Sequence, residues 1–355
     1  MPDLDTSLDY CTYCPNLCRH VCPVSNAEPR ETLIPRAKMA TLGRLRTNQL
    51  EPTVESTASL YACTGCGACT EVCLHDVEPA AALQLGRAAA VRKNLVQPQL
   101  ADLPARVDAK AQRAALAMRE VLPITRFPSE AQVALLPSCD DPHGAKAAVE
   151  VLARAGAPYV AVADVTYACG GYPLLAGGHP EAFRLYAERL ARQLQGYARI
   201  IVACPACAQT MKNDYPAAGV ALRPEVQHLT EFLAPFADSL PVERKLPAAW
   251  YHDACFLGRH GGVYDAPRRL LGRVLDEVKE FSRSRADSEC CGGGGLVPET
   301  MPETADAIAE ARLVEPRESG VRTVVSACAM CKSRLARSGV VSRDLIDVLE
   351  EATRP

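Results

Sequence analysis

The sequence predicts an α+β multidomain chain, with a helical N-terminal module followed by a duplicated α/β unit. Three observations predict it. Eight of the 17 cysteines fall in two tight groups, within residues 11–22 and 63–73. The other nine recur further along in a pattern that nearly repeats itself. Around those nine, short apolar runs bounded by Gly or Pro alternate with helical patterns.

The N-terminal module runs over residues 1–95. Its second group, Cys63, Cys66, Cys69 and Cys73, reads C-x2-C-x2-C-x3-C, the spacing of a cubane [4Fe-4S] ligand run. Thiolates at the first, fourth and seventh positions of a turn wrap three corners of a cube. Gly65 and Gly67 suit a backbone that curls tightly there. The first group, Cys11, Cys14, Cys18 and Cys22, ends in Pro23 and carries one extra residue in its second gap, Pro15-Asn16-Leu17. Structural zinc asks instead for two C-x2-C pairs spaced further apart, which neither group offers. The fourth cysteine of each run typically ligates the other cluster. Cluster one would then use Cys11, Cys14, Cys18 and Cys73, and cluster two Cys63, Cys66, Cys69 and Cys22. The segments 36–50 and 79–93 are rich in Ala, Leu and Arg, and both predict helices, so a helical ferredoxin domain is expected.

Residues 96–130 contain no cysteine and are rich in Ala, Arg and Pro. They read as a linker, with one exposed helix over 105–119. Beyond them lies the repeat. The first copy, 131–240, has Cys139, a single Cys169, and Cys204-Pro-Ala-Cys207. The second, 247–355, has Cys255, the pair Cys290-Cys291, and Cys328-Ala-Met-Cys331. Ala168 stands where a first paired cysteine would be, so copy one is degenerate. The apolar runs 133–137, 200–203, 249–253 and 323–326 predict buried parallel strands. Helices are expected over 145–155, 181–195, 267–275 and 305–314. In open α/β sheets ligands sit beyond the carboxyl ends of the strands, where these cysteines fall.

Composition narrows the function. The net charge of -3 argues against a nucleic-acid protein. No apolar run approaches membrane length, and the acidic start Met1-Pro2-Asp3-Leu4-Asp5 shows no secretory signal. The expected compartment is the cytoplasm, with a partner able to hold the chain at the inner membrane face. So many thiols in a reducing compartment imply metal or redox chemistry. No dinucleotide fingerprint or P-loop is present, so electrons should come from another protein.

The full pattern of cubane motifs and repeated cysteines resembles the heterodisulfide reductase D-type and glycolate oxidase iron–sulfur subunits. The stretches Tyr251–His260 and Val263–Arg268, with Cys290-Cys291-Gly-Gly-Gly-Gly295, resemble members that accept electrons from electron-transferring flavoprotein. The resemblance implies an oxidoreductase subunit with a flavoprotein partner, either that carrier or an FAD-linked oxidase or dehydrogenase. A membrane quinone-reactive subunit is a further implied partner. Electrons would pass by the two [4Fe-4S] clusters to a cysteine-rich-domain site and an acceptor, quinone or disulfide. It also implies that Cys255, Cys290, Cys291, Cys328 and Cys331 hold an additional, non-cubane cluster. The alternative is a disulfide or thiol reductase with that centre as its catalytic site. For Cys139, Cys169, Cys204 and Cys207, zinc, an iron–sulfur cluster and empty thiols stay open. Among histidines, His252 reads as a strand-end residue bonded to backbone, or else as a proton donor. His75 reads as a tuner of the second cubane or as a surface residue, and His228 as a structural residue on an amphipathic helix.

Overall fold

The computed structural model describes residues 3–337 and 339–355. Met1 and Pro2, at the acidic start discussed above, and Ser338 lie outside the described residues. Contacts divide the chain into two compact units, and neither is a single run of sequence. One comprises residues 1–104, 173–180 and 283–314; the other comprises 105–172, 181–282 and 315–355.

The first unit is helical. Four of its helices, Pro23–Ala27, Pro35–Arg46, Pro79–Arg92 and Pro302–Arg312, open on a proline at their first positions. The missing N–H is not needed there, and the fixed φ is already helical. The helix Leu4–Tyr13 is capped by Asp3, whose carboxylate accepts from Thr6 N at 2.9 Å. Thr53 and Ser56 form a reciprocal capping box at Val54–Ala58. Such caps contribute about 1 kcal/mol each. Leu8, Met39, Leu42, Leu60, Val77, Ala82 and Leu83 make the core, and Cys11, Cys63 and Cys73 pack against it. The thiol loops therefore rest on a rigid apolar floor.

The second unit holds two four-stranded parallel sheets. Strands β1 (Ala131–Leu136), β2 (Ala161–Val162), β3 (Tyr197–Val202) and β4 (Glu225–His228) lie in the order β2-β1-β3-β4. Strands β5 (Ala249–His252), β6 (Val278–Glu280), β7 (Thr323–Ser326) and β8 (Val341–Asp344) lie in the order β6-β5-β7-β8. The two orders are the same, so the duplication read from cysteine spacing is a duplication of sheet topology. The register also matches: Val202 pairs with His228, and Ser326 with Asp344. The helices Gly144–Arg154 and Leu345–Thr353 pack together, and Arg154 donates to the Glu350 carbonyl at 3.2 Å.

Residues 96–130 carry a 19-residue helix, Leu103–Val121. It is half-buried rather than exposed: Val107, Ala111, Ala114, Ala115 and Met118 are covered, and the Ala111 carbonyl accepts from Ala168 N at 3.0 Å.

His228 does not lie within a helix. It is the last residue of β4 and caps the helix Leu229–Leu233. Its Nδ1 accepts from Thr230 N at 3.2 Å, which assigns the proton to Nε2, 3.2 Å from the Ala203 carbonyl. Asp344 holds the same place at the end of β8, accepting from Ile346 N at 3.0 Å. Burial moves both toward neutrality: His228 down to about 3, and Asp344 up to about 7.

The stability contributed by neutral His228 is full above the ordinary value of 6.5 and is lost as pH falls toward about 3. His228→Asn keeps a capping acceptor without a titrating ring. It is expected to flatten the fall in urea midpoint between about pH 6.5 and pH 4. An unchanged acid profile would remove His228 from that role.

Candidate iron–sulfur centres

The structure sorts the eight N-terminal cysteines into two sets that cut across the two sequence groups. Cys11 faces Cys18, Cys73 and Cys14. Cys69 faces Cys63, Cys66 and Cys22. Each run therefore sends its last thiol to the other set. The local backbone explains how. Asn16, at φ 67°, absorbs the extra residue of the first run in a left-handed conformation that asparagine tolerates. Gly65 and Gly67 are left-handed at φ 70° and 75°, and Gly67 leads into the short helix Ala68–Glu71.

Burial and mutual repulsion raise the thiols. Cys11 is pushed up to about 12 by desolvation and by Cys18, Cys73 and Cys14. Cys69 is raised by its burial and by Cys63, Cys66 and Cys22. Four thiolates cannot gather in such a place without a compensating cation, which is what a metal supplies. Cys22, Cys63, Cys66 and Cys69 line one pocket with Lys38, Leu83 and Val24. Among the described residues lining it there is no histidine and no carboxylate. An all-sulfur donor set in a largely apolar lining fits an iron–sulfur cubane.

Lys38 is 2% exposed. Its Nζ donates to the Ala62 carbonyl at 2.6 Å and lies 3.7 Å from Cys22 Sγ. Desolvation opposes its charge, but Cys22, Cys63 and Cys69 outweigh that, and the ammonium is held above its ordinary range. Nothing in its sequence surroundings marks it, since it sits in a helix with several basic residues.

Cys290 and Cys291 belong to the first unit, and the glycines after them explain their position. A Cβ on Gly294 would lie 2.2 Å from the Thr64 carbonyl oxygen, and one on Gly295 1.9 Å from that of Cys63. The bare backbone at Gly294 and Gly295 packs on the second cysteine loop. Arg87 fastens this contact. Its guanidinium donates to the carbonyls of Leu60 (2.9 Å), Cys63 (3.1 Å), Ala176 (2.6 Å) and Gly295 (3.3 Å).

In the second unit, Cys255 follows β5, and Cys328 and Cys331 follow β7. His252 ends β5 as a buried residue whose carbonyl accepts from Ser326 Oγ at 3.2 Å. Its neighbour Asp253 pairs bidentately with Arg268 at 2.7 and 2.8 Å, and Arg268 continues to Glu280. This chain of charge ties the Asp253 side chain to Asp265–Val274 and β6, so its role is structural. His75, by contrast, stacks on Tyr10 with ring centroids 4.6 Å apart, beside the set that contains Cys73.

The four cysteines of copy one come together in the second unit. Cys139 bonds Cys169, Cys169 bonds Cys207, and Cys207 bonds Cys204 through their side chains. Gly170 N donates to Cys207 Sγ at 3.0 Å and Gly171 N to Cys169 Sγ at 3.4 Å. The hydrogen bonds from Cys139 and Cys207 pull Cys169 well below the usual thiol range, with Gly171 N and Lys110 assisting. Cys139 and Cys207 are raised in turn. Ala168 is fully buried and leaves no fifth sulfur.

A 4Fe-4S dicluster domain model matches residues 7–77, and a cysteine-rich domain model matches twice, at 133–212 and 249–336. The D-type subunit of the dihydromethanophenazine:CoB–CoM heterodisulfide reductase of Methanosarcina barkeri is 28% identical over 82% of this chain and 78% of its own length. The chain thus combines a 4Fe-4S dicluster domain with a duplicated cysteine-rich domain, a combination consistent with the heterodisulfide reductase D-type subunits it resembles. It carries iron–sulfur clusters of the [4Fe-4S] kind. A fumarate reductase (CoM/CoB) polypeptide of Methanothermobacter marburgensis is 29% identical over 82% of this chain and 60% of that protein. An EtfAB:quinone oxidoreductase of Syntrophomonas wolfei is 31% identical over 54% of this chain and 28% of that protein. The iron–sulfur subunits of oxidoreductases are thus its relatives, as the cysteine pattern implies. Among the described residues, no helix is long and apolar enough to cross a membrane.

Gly295→Ala forces a Cβ onto the Cys63 carbonyl from a left-handed position at φ 61°. It is expected to cost about half the iron of the two-cubane chain. Gly43→Ala, in open space on the helix Pro35–Arg46, is expected to cost none. Iron and acid-labile sulfide per chain check both.

Proposed function

We propose that the chain is an electron-transfer subunit that accepts electrons from a flavoprotein partner and delivers them toward a quinone or disulfide acceptor. The single observation that carries this reading is the pairing of two four-thiol sets in one unit, with Cys18 close enough to Cys22 to feel its charge. In this reading Cys11, Cys14, Cys18 and Cys73 hold the first cubane, and Cys63, Cys66, Cys69 and Cys22 the second. When bound, the clusters supply one-electron storage at two adjacent places.

The protein's own residues do the rest. The apolar floor under Cys11, Cys63 and Cys73 fixes the thiols and keeps water from one side. The loop 292–295 packs Gly294 and Gly295 against Thr64 and Cys63, which favours exit of electrons from the second set toward the stretch that also carries Cys290 and Cys291. Entry is favoured at the first set. Tyr13 (87% exposed) adjoins Cys14, Leu74 (84%) adjoins Cys73, and the exposed Leu17 adjoins Cys18. Exposed large apolar side chains next to intermediate-burial thiols suit transient docking of a redox partner. The identity of that partner as a flavoprotein rests on the resemblance and on the name of the EtfAB:quinone relative. Attachment at the inner membrane face through a quinone-reactive partner belongs to the same proposal.

Anaerobically purified protein should contain about eight irons with two cubane EPR signals on reduction. Almost no iron, with several zincs, would retire the electron-transfer reading. Well over eight irons, with a further signal lost in Cys291→Ala, would instead favour the disulfide reductase. A second outcome concerns docking. The double variant Tyr13→Ser, Leu74→Ser should keep its iron but slow reduction by a reduced flavoprotein roughly tenfold, the loss of a ~1.4 kcal/mol contact. Equal rates would place entry elsewhere.

A further inference from the structure

We propose that Lys38 is a potential-setting residue for the second cubane, holding that cluster at a higher reduction potential than the first. The inference rests on the assignment of Cys22, Cys63, Cys66 and Cys69 to that cluster.

Lys38 lies on Pro35–Arg46 and points inward. Burying an ammonium costs several kcal/mol unless an anion compensates it. The partners of Nζ are a carbonyl, Ala62 O at 2.6 Å, and a sulfur, Cys22 Sγ at 3.7 Å. A carbonyl alone is poor compensation for a full charge. The groups whose charge it meets are Cys22, Cys63 and Cys69, so the anion it is built to face is the thiolate set. It lines the same pocket as all four of those cysteines.

The two sets differ in this respect. Cys11 faces Arg36, whose guanidinium donates to the carbonyls of Cys11 (3.1 Å) and Thr12 (2.7 Å). That group is bonded to backbone oxygen, whereas the Lys38 ammonium reaches a ligand sulfur directly. A cluster gains one negative charge when reduced. A fixed cation and an N–H···S bond stabilise that added charge, and both raise the potential. Low dielectric around Lys38 strengthens the effect. The order that results, higher at the second set, drives electrons from the solvent-facing first set toward the loop that carries Cys290 and Cys291.

The test is an EPR-monitored redox titration of the full chain. In Lys38→Met, iron should stay at the wild-type value, one midpoint should move to lower potential, and the other should hold. Cys69→Ser, which should lose about half the iron, identifies which signal is the second cubane. Two unchanged midpoints with full iron in Lys38→Met would overturn the proposal. Should Lys38→Met shed the second cluster, Lys38→Arg decides. A restored cluster with a near-wild-type midpoint supports a role for the charge, and failure to restore it reduces Lys38 to a packing residue. If wild-type protein shows no second cubane signal, the cluster assignment itself fails. That outcome is distinct, because there is then no second midpoint to move.

Discussion

The guanidinium of Arg87 is buried and turned onto four carbonyl groups, and the first unit is organised around it. Those carbonyls belong to Leu60, Cys63, Ala176 and Gly295, from three stretches far apart in sequence. Arg87 is 3% exposed, and its Cζ lies 5.0 Å from the Tyr61 ring centroid. A buried cation bonded only to neutral oxygens is tolerated because the fork spreads its charge over several donors and an aromatic face. Tyr61 joins the same arrangement, donating to the Gly177 carbonyl at 3.2 Å. Through Gly295 and Cys63 the Arg87 side chain ties the two loops to each other.

The second unit solves a different problem by repetition. Cys139, Cys204 and Cys207 follow the central strands β1 and β3, and Cys255, Cys328 and Cys331 follow β5 and β7. The edge strands β4 and β8 then supply a polar residue that closes the end: His228 in one copy, Asp344 in the other. His228 bonds the Ala203 carbonyl, one residue ahead of Cys204, and so helps to set where that thiol begins. Copy one has kept a connected group of four sulfurs, with alanine in the place of the fifth. Such a set retains the donors for a tetrahedral metal, though not those of the complete motif.

Much of this was legible in the sequence, for physical reasons. The central strands are buried on both faces and read as apolar runs. The helices at 36–50 and 79–93 announce themselves by composition and by Pro at their starts. The edge strands did not show. Val278-Lys-Glu280 and Val341-Ser-Arg-Asp344 are short and charged, as edges commonly are. His228 was misplaced for the same reason, because Glu225-Val-Gln-His228 has too little apolar pattern to reveal a strand. The cross-over of Cys22 and Cys73 is what the spacing of cubane motifs leads one to expect. Lys38 and Arg87 were invisible, since a basic residue in a basic helix gives no sign of which way it points. The packing of Gly294 and Gly295 on Thr64 and Cys63 depends on a contact spanning more than half of the chain.

That span has a consequence for biosynthesis. Residues 1–104 leave the ribosome well before the rest of their compact unit, which also needs 173–180 and 283–314. Its last components are made only after the whole intervening stretch 181–282 has been translated. Domains that finish so late carry a long loop-closure cost and a long exposure of unpaired surface. The N-terminal thiols must be kept reduced through that interval. Completion of the compact unit that carries the cysteine loops is thus tied to the arrival of residues 283–314 rather than to the emergence of the loops themselves.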